Sequence, residues 1–253
     1  MDNSVIKFEN IEFKLMFSLR GKEFYRSGDR MVEVFPEGYL LSQLLAEAEN
    51  QSFAHESGLP APEIFEVTSL GGRWAIVSEL VGQRLLSDIV KADGMNDELL
   101  DKFTALQNAI HSKKSYELHK QRENTHRLLG DSPLNPTVRY ELHTLLDTLP
   151  KHNKLCHGRF LPSSVIVSES GQLYAIDWAH ARQGNASCDA AFTYLSLLLD
   201  CGTELAERYL TSFCKKSEIA KDYIEKWETI VAASMLKDRG AEGQKILKKI
   251  IEK

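Results

Sequence analysis

Long apolar runs are missing from this 253-residue sequence, and with them the ~18 uninterrupted apolar residues that a membrane-spanning helix requires. Stretches such as Tyr194–Leu199 and Ile230–Leu236 are far shorter. Cysteine is scarce: Cys156, Cys188, Cys201 and Cys214 show no C-x-x-C spacing and no small secreted domain around them. Reduced thiols in a cytoplasmic protein are therefore expected. The opening MDNSVIKFENIEFK puts acidic residues where a secretory leader would be cationic, and no cleavage site follows it. Positive charge is short overall, with 31 Lys+Arg against 36 Asp+Glu for a net −5, which speaks against a bulk electrostatic hold on nucleic acid. Internal repeats and low-complexity stretches are absent too. What is present is an ordinary globular composition, 43% hydrophobic and 26% charged, long enough for one large or two small domains with a real core.

The first eighty residues alternate as strands do. Ile11–Leu19 is apolar-rich, Arg20-Gly21-Lys22 interrupts it, and Glu23–Tyr25 resumes. Ser27-Gly28-Asp29 is a turn signal, and Met31–Phe35 predicts a third strand of an antiparallel meander. Leu40–Glu56 then carries apolar residues at helical spacing, stopped by Gly58 and the extended Leu59-Pro60-Ala61-Pro62. Glu63–Thr68 and Arg73–Glu79 predict a hairpin around Gly71-Gly72.

After Gly82 the pattern turns helical: Leu85–Val90, Asp97–His111, Tyr116–Leu129, Thr137–Leu149, and from about Asp189 to the C-terminus. One short strand pair, Ser164–Val167 and Leu173–Ile176, interrupts it. The expected fold class is α+β in two lobes, a strand-rich lobe over 1–82 and a helical lobe over 83–253, with a ligand cleft between them. Trp178 and Trp227 are expected to anchor the helical lobe. Cys156-His157, with His152 and His180 near in sequence, fits no zinc template. The basic, amphipathic Lys245–Ile251 reads as a last helix packed on that lobe, not as a membrane contact.

Two segments carry chemistry. Leu155-Cys156-His157-Gly158-Arg159-Phe160-Leu161-Pro162-Ser163-Ser164 is followed, after a short hairpin, by Ile176-Asp177-Trp178. The pair resembles the H-G-D-x-x-x-x-N and I-D-W motifs of the aminoglycoside phosphotransferase and choline kinase family, small-molecule kinases on a protein-kinase-like fold. The resemblance runs along nearly the whole chain. Gly58–Pro62 resembles the family's G-L-P-x-P segment, Leu45–Asn50 its C-helix, Ser78–Gly82 its hinge, and Cys188–Tyr194 the helix after the metal-binding aspartate.

The resemblance implies ATP and Mg²⁺ as cofactors and assigns positions to them. Arg159 stands where the family has its catalytic aspartate, and a guanidinium has no acceptor with which to take a proton. Ser164 stands at the metal-binding asparagine, and Asp177 matches the metal-binding aspartate. Glu33 occupies the place of the strand lysine that grips the phosphates, while Glu47 matches the glutamate that pairs with that lysine. Lys22 or Arg30 is the alternative source of the missing cation. Glu79 and Leu80 fall in the cofactor-binding hinge, and His157 and Asp189 match residues that brace the catalytic loop.

A catalytically impaired pseudokinase that keeps a small-molecule cleft is therefore expected, with Arg159 forming an internal ion pair with Asp177 or with Glu33 and Glu47. Two readings stand beside it: an active O-kinase on a sugar, amino alcohol or aminoglycoside hydroxyl, and a scaffold that binds a protein partner. No nucleic-acid or membrane partner is expected.

Overall fold

The computed structural model describes residues 5–8 and 11–252; Met1–Ser4, Glu9 and Asn10, part of the acidic opening, lie outside the described residues. In chain order the strands and helices are β1 (Val5–Phe8), β2 (Ile11–Leu19), β3 (Lys22–Ser27), β4 (Arg30–Val34), α1 (Leu41–Glu56), β5 (Ile64–Leu70), β6 (Arg73–Glu79), β7 (Arg84–Leu85), α2 (Leu86–Asp93), α3 (Asp97–Ser112), α4 (Gln121–Gly130) and α5 (Pro136–Thr148). There follow β8 (Lys154–Cys156), β9 (Val165–Val167), β10 (Leu173–Ala175), β11 (Arg182–Gly184), α6 (Ala186–Cys201), α7 (Thr203–Ser217), α8 (Lys221–Met235) and α9 (Ala241–Ile251). Whereas the sequence divides once, at 82/83, contacts group the chain into two compact units. The first comprises residues 1–95 and 162–180, the second 96–161 and 181–253.

The first unit is built on a six-stranded antiparallel sheet of order β1-β2-β3-β4-β6-β5. Arg20 and Gly21 turn the β2–β3 hairpin with φ of +52° and +80°, the left-handed pair that a two-residue hairpin favours. Side chains alternate across the sheet. Phe24 pairs with Glu33 and Glu33 with Ile76, so these residues share a face. On that face Phe35, Ile76, Leu44 and Ala48 pack the helix α1 onto the strands. A second cluster joins Leu19, Phe24 and Met31 to Val81, Leu85, Ile166 and Ile176, the last reached through the small sheet β10-β9-β7. Gly82 permits that approach, since a Cβ there would stand 2.6 Å from the Val167 carbonyl oxygen.

The second unit is helical. α6 is apolar nearly all round and buried along most of its length, as a central helix must be. Phe103 stacks on Phe160 and Tyr209 on Phe213, with Phe103 edge-on to Tyr209. Trp227 is buried here as expected, but Trp178 is not: it lies in the first unit, where Asn50 Nδ2 donates 2.9 Å to its carbonyl and its own Nε1 donates to Ala175. Residues 116–120, expected as helix, are not helical, and α4 starts at Gln121. Among the described residues no helix is long and apolar enough to cross a membrane.

Candidate functional site

The sheet register sets the chemistry of the first unit. Lys22 is the first residue of β3, two before Phe24, so it lies on the same face as Glu33 and diagonally across from it. Its Nζ is 2.8 Å from Glu33 Oε1 and 2.7 Å from Asp177 Oδ1, and it also pairs with Glu47 of α1. All four residues are buried. Phe35 offers its ring 5.0 Å from the ammonium. Arg20, on the hairpin turn, completes the cluster. Its Nη1 donates to Asp177 Oδ2 and, at 3.4 Å, to Ser164 Oγ, while Nη2 donates to Ser163 Oγ. Asp177 itself takes φ +64°, as Arg20 takes +52°. A left-handed residue other than glycine costs ~1 kcal/mol or more, so both ends of this ion pair are held by their surroundings.

Charge balance follows from burial. Among the described contacts of the first unit two cations face three carboxylates, a balance that favours a proton on one carboxyl. Burial first, then the charge of Glu33, pushes Glu47 up to about 8 against the opposing pull of Lys22. Glu33 is likewise raised by burial, with Lys22 opposing. Burial works against the charge of Lys22, yet Glu33, Glu47 and Asp177 together hold its ammonium well above the usual lysine value. The extra proton is shared within the Glu33–Glu47 pair, both of whose carboxyls burial pushes up.

Of the two alternative cations only one reaches these groups. Arg30 pairs instead with Asp29 and stacks on Phe65, 3.7 Å from the ring centroid. Of the two residues expected at a hinge, Leu80 packs partly buried on the Leu19–Phe24–Met31 cluster, whereas the Glu79 side chain is exposed and its backbone N–H donates to Glu63.

The second unit holds the remaining expected residues. Asp189, near the start of α6, accepts from the His157 and Gly158 backbone N–H groups at 3.2 and 2.8 Å and from His111 Nε2 at 2.9 Å. Burial alone would raise its carboxyl, but the hydrogen bonds and charge from His111, His157 and Gly158 outweigh it and the net shift is downward. Gly158 takes φ +78° and leads into Arg159, which is half-buried. His111, missed by the sequence reading, is the third arm of this brace. Its signal was a lone histidine at the end of an amphipathic helix, which spacing alone does not distinguish from a core residue.

Comparison with known proteins settles the family. Residues 21–225 match the phosphotransferase enzyme family. The chain belongs to that family. No curated protein matches it significantly. Among solved structures, aminoglycoside-3'-phosphotransferase of type VIII is similar at TM-score 0.65 and 16% identity, over 90% of this chain and 94% of that one. Choline kinase LicA from Streptococcus pneumoniae is similar at TM-score 0.66 and 17% identity, over 98% and 92%. A thermostable mutant of aminoglycoside phosphotransferase APH(4)-Ia, in a ternary complex with ADP and hygromycin B, is similar at TM-score 0.69 and 13% identity, over 98% and 94%. These likenesses are of fold: an antiparallel-sheet unit and a helical unit on the protein-kinase-like plan.

Proposed function

We propose that this phosphotransferase-family chain is a catalytically impaired pseudokinase whose metal-binding residues are occupied by an internal guanidinium. One observation carries the reading: Arg20 Nη1 bridges Asp177 Oδ2 and Ser164 Oγ, the two residues that the family resemblance assigns to Mg²⁺. The other oxygen of Asp177 is taken by Lys22. A hard cation wants several oxygen ligands in near-octahedral array. One carboxylate engaged on both oxygens, a hydroxyl and two adjacent cations do not fit it.

Position 159 adds a second, independent loss. Arginine cannot accept the proton of an acceptor hydroxyl, and general-base help is worth ~10²–10⁴ in rate. The expected acceptor, a sugar, amino alcohol or aminoglycoside hydroxyl, then meets a guanidinium at that position instead of a base. The competing reading, an active O-kinase, is favoured by the Lys22–Glu47 pair, because phosphoryl transfer relies on a lysine–glutamate ion pair with little covalent work by the protein. Release of ADP from ATP over a panel of hydroxyl compounds separates the two. The pseudokinase reading expects no release above the protein-free blank; turnover that disappears in Asp177→Ala overturns it.

A further inference from the structure

The second unit contains a cavity of about 470 Å³ where the end of α3, the approach to β8 and the strand β11 meet. Lys114, Lys151 and Lys154 line it, with His152 and Gln183. Main-chain pairing builds the site. Lys114 and Lys154 face each other across an antiparallel bridge, and Gln183 pairs with Leu155 in the β8–β11 ladder. Directly opposed like charges destabilise such a pair. No carboxylate lines the cavity, and none of the three lysines forms a salt bridge among the described residues. The positive charge acts on its neighbours: burial first, and then Lys154, hold His152 below the usual histidine value. The cavity wall also includes His111, which is 2% exposed and whose Nδ1 is buried with no hydrogen-bond partner among the described residues.

We infer that this cavity is an anion site that takes a phosphate group, free or as a phosphomonoester, on Lys114, Lys151 and Lys154. The ammonium groups provide charge and rotatable donors, and the Gln183 amide provides a directional neutral donor. A phosphate with its several acceptor oxygens can engage all of them at once, relieving the repulsion that the fold imposes. The site lies apart from Arg20, Lys22 and Asp177 in sequence and in compact unit, so the inference does not depend on whether the chain transfers phosphate.

The test is a calorimetric titration of the full chain at low ionic strength with inorganic phosphate and, separately, with glycerol 2-phosphate. Wild type should bind at least one of them saturably, and added salt should weaken binding. The pair Lys114→Gln and Lys154→Gln together should weaken it about tenfold or more, as loss of two charge-assisted contacts implies. Exposed Lys249→Gln should leave it within about twofold, the size of a distant surface charge effect. Binding of the ester alone assigns the site to phosphorylated metabolites; binding of both assigns it to phosphate generally. No saturable binding of either, or equal binding by the double variant, overturns the inference. Melting without ligand checks the physical premise separately: the double variant should melt no lower than wild type, and a fall of many degrees would show that the lysines hold the fold instead.

Discussion

Lys22→Met removes the ammonium that Glu33, Glu47 and Asp177 share while keeping most of the side-chain volume, so its cost measures the charge network and not a cavity. Breaking a buried pair by deleting one partner costs ~3–5 kcal/mol, because the partner charge stays buried. Part of that is recovered when a carboxyl takes up a proton. Glu47 already sits at about 8, and each unit of further upward shift is worth ~1.4 kcal/mol. A net loss near the low end, ~3 kcal/mol at pH 7, is expected. For a chain of this length that is a fall in Tm of ~6–12 °C. Thermal melts by circular dichroism at pH 5.5, 7 and 8.5 would read it.

The pH dependence has a definite sign. The folded-state value of Glu47 is raised from 4.5 to about 8, so its contribution is complete below 4.5 and is lost as pH rises through about 8. Lys22 is raised as well, so what it contributes persists below its ordinary value of 10.5 and goes only at higher pH. Without Lys22 the carboxylates must ionise unaided as pH rises. The gap between variant and wild type should therefore widen from pH 5.5 to 8.5. A Tm loss under ~2 °C at pH 7, or a gap that widens toward acid, would refute this account of the cluster.

Asp189→Asn should cost ~2–3 kcal/mol in thermal melts, because a neutral amide accepts poorly from His111 and the 157–158 backbone. Since the Asp189 carboxyl is lowered on folding, its contribution in wild type is present above its ordinary value of 3.8 and lost as pH falls through the folded value. Gly82→Ala should destabilise by ~1–3 kcal/mol, since its Cβ meets backbone at Val167 that cannot rotate away; an unchanged melting curve would show that β9 yields freely. Native thiol labelling at pH 8 should modify exposed Cys201 first. Cys156 and Cys188, buried and pushed up in pKa chiefly by that burial, should react only in denaturant.

Much of the fold was legible because its elements are strongly patterned. The Gly71-Gly72 hairpin, α1 stopped by Gly58, and α3 each follow from period and punctuation. Four strands went unread: β1, β7, β8 and β11, of two to four residues each, are defined by tertiary pairing that local sequence cannot announce. The same limit hid the heart of the site. Arg20-Gly21-Lys22 reads as a break in the sequence, whereas only Arg20 and Gly21 turn and Lys22 already faces the core side of β3. One residue of register decided whether that lysine pointed to solvent or to Glu33. The motifs locate Asp177 and Ser164, but nothing in them points to Arg20. Within the first unit Arg20 and Lys22 reach Asp177, and Arg20 reaches Ser164, from a hairpin more than 140 residues away in sequence. Such a long-range contact leaves no trace in composition or spacing.

The central claim is that a guanidinium stands on the family's metal-binding pair, and the Mg²⁺ dependence of nucleotide binding tests it most directly. Calorimetric titration of ATP into wild type should give the same affinity, or the same absence of binding, with and without Mg²⁺. Arg20→Asn keeps the left-handed turn that asparagine tolerates and removes the guanidinium from Asp177 Oδ2 and Ser164, so Mg²⁺ should then tighten ATP binding by about tenfold or more. A Mg²⁺-dependent tightening already present in wild type would contradict the claim.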